Sequence, residues 1–123
     1  MELSDSLIEM KMESYPPEIV ACYLYVITKY GYPPDAARSA DHLREYSNLG
    51  FRSVELEGIR KEHLEEMDAL GRELRKEAEQ LDLKIPVFCV VLPGLSAPDP
   101  EERERNLELF GRGCDLGRRG HGP

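Results

Sequence analysis

The stretch LGFRSVELEG, Leu49 to Gly58, decides how this chain folds. Gly50 stands where a left-handed residue closes a helix. In the SVELE that follows, Val54 and Leu56 point to one surface while Ser53, Glu55 and Glu57 point to the other. A helix has ended and a strand has begun. Gly58 ends that strand. From about Glu62 to Leu81 the residues Leu64, Met67, Leu70, Leu74, Ala78 and Leu81 then form one apolar stripe among alternating charges, which predicts an outer helix. Gly71 in its middle costs about 1 kcal/mol relative to alanine.

The same order repeats on either side. Upstream, IVACYLYVI (Ile19 to Ile27) is apolar on both alternating faces and predicts a doubly buried strand. Gly31, Pro33 and Pro34 punctuate the turn after it. A helix is predicted from Pro34-Asp35 to about Leu49, with Ala36, Ala40, Leu43 and Tyr46 facing inward. Downstream, IPVFCVVL (Ile85 to Leu92) reads as a third strand, again apolar on both faces. Asp99, Pro100 and Glu102 announce a helix from Glu101 to Leu116 with Leu107, Phe110 and Cys114 on one side. Gly111, Gly113, Gly117, Gly120 and Gly122 predict that this helix falters past Phe110. The strand runs begin near Ile19, Ser53 and Ile85, spacings of 34 and 32 residues, the length of a parallel βαβ unit. The fold class is therefore α/β, built of three parallel βα units in a barrel or doubly wound sheet.

Residues 1–18, closed by Tyr15-Pro16-Pro17, read as a loosely docked extension, 19–116 as the folded unit, and 117–123 as a Gly/Arg-rich tail. Of the 123 residues 41% are hydrophobic and 33% charged, which suits one core, and the formal charge of −8 excludes an electrostatic hold on nucleic acid or anionic lipid. Cys22, Cys89 and Cys114 are an odd number without CxxC spacing. With no export leader or membrane-spanning run, the expected location is the cytoplasm.

In parallel α/β folds ligands sit at the carboxyl ends of the strands, here Thr28 to Tyr32, Glu55 to Ile59 and Leu92 to Ser96. Glu57, on the same face as Glu55, offers a carboxylate to a sugar hydroxyl or to a metal held by other strands; Lys29 and Tyr30 offer a cation and a hydroxyl to an anionic or polyhydroxylated ligand. Against these stand solvated surface charges, the commoner fate of a loop lysine. His42, His63 and His121 show no zinc or nucleophile spacing. No GxGxxG, GxxxxGK[ST] or GxSxG motif is present, so nucleotide and acyl-enzyme chemistry are disfavoured, and no residue is assigned as catalytic or as a metal ligand.

The segments YLYVITKYGYP, LGFRSVELEGIR and IPVFCVVLPGLS, with helices between them, resemble the opening of the xylose-isomerase-like TIM barrels of the sugar phosphate isomerase/epimerase family. The likeness covers about Ile19 to Cys114. It implies a partial TIM barrel and the N-terminal part of a metal-dependent sugar or sugar-phosphate isomerase/epimerase, with a substrate-side role for Glu57 and, more weakly, for Lys29 and Tyr30. The resemblance also implies a divalent metal, Mn, Mg or Zn, held by strands beyond the third and so not by this chain alone. The related endonuclease branch fits less well, because its histidines would fall at Gly58-Ile59-Arg60 and Pro93-Gly94-Leu95. A closed barrel takes about 250 residues and eight strands. The expectation is thus an isolated chain without turnover, a truncated or shortened product. The alternative is a non-catalytic fragment that self-associates, or docks to a partner, through open strand edges.

Overall fold

In the computed structural model, residues 14–120 are described. They form an α/β unit with three parallel strands in one open sheet, ordered β1-β2-β3: β1 (Val20–Ala21), β2 (Ser53–Ile59) and β3 (Lys84–Val91). Four helices accompany them: α1 (Leu24–Tyr30), α2 (Ser39–Asn48), α3 (Arg60–Gln80) and α4 (Pro100–Gly120). Short 3₁₀ turns at Ala36–Arg38 and Pro93–Ser96 precede α2 and follow β3.

The first predicted strand is corrected. Only Val20 and Ala21 pair with β2, and the chain turns into α1 at Leu24. Tyr23 and Val26 are buried, Ile27 is half-buried and Leu24 and Tyr25 are exposed, the three-to-four spacing of a helix rather than the alternation of a strand. An unbroken apolar run fits either period.

The region around β2 follows the sequence. Asp35 caps the helical segment, its carboxylate accepting from the Ala37 N–H at 3.0 Å, and Ala36, Leu43 and Tyr46 face inward. Gly50 adopts φ +95° after α2. Strand β2 runs one residue past Gly58 and passes without a loop into α3, whose Leu64, Met67, Leu74 and Ala78 are buried against the sheet. Residues 14–18 are docked: the Tyr15 N–H donates to the Gly50 carbonyl, its ring stacks on Phe51 at 4.6 Å, and Ser53 Oγ donates to the Pro17 carbonyl at 2.7 Å. The rest of the predicted extension, and His121, lie outside the described residues.

Two further expectations change. Strand β3 is not buried on both faces: it pairs with β2 alone, and Val87 is 41% exposed. A register irregularity at Ile85-Pro86, where proline lacks a ladder donor, brings Ile85 and Phe88 to the face covered by the helices. Helix α4 does not falter at its glycines but continues to Gly120, into the predicted tail. Its inward residues are Leu109, Gly113 and Leu116, and the expected stripe of Leu107, Phe110 and Cys114 faces solvent. Close approach explains Gly113, where a Cβ would stand 2.5 Å from Val90 Cγ2; around Gly111 nothing lies within 4 Å.

These two glycines should respond oppositely in urea unfolding. Gly111→Ala should stabilise by about 0.5–1 kcal/mol through helix propensity. Gly113→Ala should destabilise by about 1–2 kcal/mol as the overpacking against Val90 outweighs that gain.

Candidate functional site

Helices α3 and α4 cover the face of the sheet that carries Val54, Leu56, Phe88 and Val90. The opposite face carries Glu55 and Glu57, which stand beside Val87 and Cys89 in the parallel register. Because β-strand side chains alternate, the two glutamates lie on one surface two residues apart, half-buried. Glu55 is anchored: its Oε1 accepts the Tyr23 N–H at 3.3 Å. Glu57 is pushed up to about 7, first by burial and then by hydrogen bonding to, and repulsion from, Glu55. The Glu57 carboxyl is therefore protonated about half the time near pH 7. Burial, with the Glu57 charge, also raises the Tyr23 phenol, and burial together with the same two glutamates raises the Cys89 thiol. The Tyr23 hydroxyl is buried without a hydrogen-bond partner among the described residues.

Lys29 and Tyr30 stand elsewhere in function. Both lie in the last turn of α1 rather than in a strand-to-helix loop, and both are engaged by one carboxylate of α2: Lys29 Nζ pairs with Glu45 Oε1, and the Tyr30 hydroxyl donates to Glu45 Oε2 at 2.7 Å. Tyr25 donates to the same Glu45 at 2.9 Å. These three donors hold the Glu45 carboxyl at about 2, and the hydrogen bond to Glu45, then that to Tyr25, raises Lys29 in turn. The structure brings Lys29 and Tyr30 together as an α1–α2 clamp, and groups Glu57 instead with Glu55, Tyr23 and Cys89. Sequence reading missed Glu45 and Tyr23, which look like ordinary helix-surface and core residues until α1 places them.

His42 and His63 are core residues. The Ile59 N–H donates to His63 Nδ1 at 3.0 Å, and the Tyr30 ring stacks on His42 at 4.7 Å. Burial lowers both imidazoles, and His42 Nδ1 and His63 Nε2 have no hydrogen-bond partner among the described residues. Among the described residues no group of three or more His, Cys, Asp or Glu side chains is arranged to hold a metal ion. The Glu55–Glu57 pair does not by itself fit the ligand set that the family resemblance implies. A cleft of about 630 Å³ opens beyond the carboxyl end of β3, between the start of α3 and α4; Arg60, Lys61 and Arg105 line it together with Glu62, Glu102 and Glu108. Its charges are balanced, so it favours no one ligand class. No described helix is long and apolar enough to cross a membrane.

Comparison with protein-family models, with curated proteins and with solved structures gives no match.

The carboxyl pair predicts a pH signature. A carboxyl whose folded value is raised contributes stability below its unfolded value near 4.5, and that contribution is lost as pH rises through about 7. Unfolding free energy should thus decline between pH 5 and 7, and Glu57→Gln should flatten the decline. In ¹³C spectra the Glu57 side-chain carboxyl should titrate near 7 and move down towards the ordinary range in Glu55→Gln.

Proposed function

We propose that this chain is the opening part of a xylose-isomerase-like barrel, of the metal-dependent sugar or sugar-phosphate isomerase/epimerase lineage. In this reading it keeps the substrate-facing surface of that fold without turning substrate over alone. The observation that carries the reading is the one-sided covering of a co-directional sheet: helices on one face, and on the other two half-buried glutamates side by side in the middle strand. A barrel interior has this polarity, its strands presenting alternate side chains to the lumen and the remainder to an outer helical ring.

A carboxyl that is protonated about half the time near pH 7 both donates to and accepts from a sugar hydroxyl, and it is matched to proton transfer at that pH. Glu57 is the residue assigned to the substrate; Glu55, tied to the Tyr23 amide, positions it. The divalent metal of the lineage would supply Lewis-acid stabilisation of an enediolate, from ligands beyond those described here.

Titrating the full chain with xylitol should shift the Glu57 carboxyl resonance with millimolar half-saturation, and Glu57→Gln should weaken binding by about tenfold or more while leaving the circular dichroism spectrum unchanged. A Glu57 resonance unmoved by xylitol, or equal affinity in Glu57→Gln, would remove the glutamate from a sugar site.

A further inference from the structure

The free edge of β3 and one flank of α4 lie side by side, and we propose that together they form the interface of a two-fold symmetric dimer of this chain. The inference draws nothing from the sugar-site reading. Among the described residues β3 pairs with β2 alone, through Lys84 and Val87–Val91, so this length has a neighbour on one side only, and Val87 at its centre is 41% exposed. Such an edge is a template for another strand.

Helix α4 extends this edge into a surface. Its flank towards α3 is marked by Arg112, which bonds Glu65 and Asp68 at 3.4 Å. Phe110 stands two residues away, about 200° around a helix of 3.6 residues per turn, and so on the flank turned from α3. Leu107 and Cys114 share that flank with Phe110; Leu107 is 54% and Phe110 42% exposed. An apolar stripe on the side of the outermost helix, next to an unpaired outermost strand, is a single uncovered patch.

Three observations select a second copy as what covers it. First, the partner strand must be long and have a free edge: β1 offers two residues and β2 is paired on both sides, so among the described strands only another β3 matches β3 along its length. Second, pairing β3 with its own two-fold mate is antiparallel and closes, which leaves no further edge for growth at that side. Third, charge permits it. In a chain of formal charge −8, the flank from Arg103 through Leu107 and Phe110 to Cys114 carries no carboxylate: Glu104 and Glu108 fall on the remaining surface of the helix, and the Asp115 carboxylate accepts from Arg118 at 3.2 Å. Two like-charged molecules therefore meet where neither presents its negative charge. A further βα unit from a different polypeptide would need the same surface.

The decisive measurement is sedimentation equilibrium of the full chain in reductant at about 50 μM, which keeps the exposed Cys22, Cys89 and Cys114 from linking copies. The expected mass is twice the 14.0 kDa of the chain. Val87→Lys on the strand edge and Phe110→Glu on the helix flank change exposed side chains. Each should raise the dimer dissociation constant at least tenfold while the circular dichroism spectrum stays that of the parent. Leu24→Glu, near the opposite edge, should leave the dimer intact and so controls for added charge. A chain that sediments at 14.0 kDa, an open-ended series of larger species, or a dimer that survives both Val87→Lys and Phe110→Glu would each overturn the proposal.

Discussion

The contact between Gly58 and Leu64 governs the placement of the outer layer. A Cβ on Gly58 would stand 2.5 Å from Leu64 Cδ1 and 3.1 Å from Phe88 Cζ, so α3 can lie on β2 at this distance only if that position has no side chain. The chain reverses here with no loop: β2 ends at Ile59 and α3 begins at Arg60, which takes φ +61°, a left-handed conformation that costs a non-glycine residue about 1 kcal/mol or more. Two contacts fasten the pivot. His63 Nδ1, one helical turn in, accepts the Ile59 N–H, and the Arg60 guanidinium lies over the Tyr32 ring at 5.5 Å. From this point α3 covers the centre of the sheet, and α4 packs beside it on β3.

One-sided covering then sets the chemistry of both surfaces. The face beneath α3 and α4 holds Val54, Leu56 and Phe88 and contributes the hydrophobic burial. The opposite face keeps Glu55 and Glu57 half-buried, dry enough to raise the Glu57 carboxyl. Among the described residues β3 also has one unpaired edge, beside the outer flank of α4.

Much of this was legible in the chain itself. SVELE alternates, so it declares a strand with glutamates on one face. The stripe Leu64, Met67, Leu74 and Ala78 recurs at helical spacing, and Asp35 and Gly50 mark the ends of the helical stretch between them. The run IVACYLYVI had no such marker, since every position is apolar or aromatic, and the observed helix over Leu24–Tyr30 emerges only once Tyr23 and Val26 find the core. The α4 stripe misled for a related reason. Leu107, Phe110 and Cys114 lie at helical spacing, but so do Leu109, Gly113 and Leu116, and the sheet accepts the latter side, because a small residue at Gly113 lets the helix approach Val90.

Of the candidate site, Glu57 could be placed beforehand because strand alternation alone puts it beside Glu55. Lys29 and Tyr30 could not, since their surroundings depend on α1 meeting Glu45 of α2 across 16 and 15 residues. Local periodicity and turn chemistry thus determined β2 and the helices on either side of it, the direction of the strands and the pairing of the two carboxyls. Which apolar face is buried, which edge is left open and which carboxylate claims a given cation were decided by tertiary packing. Those outcomes are set by competition among distant segments for limited contact area, and no short stretch of sequence records the result.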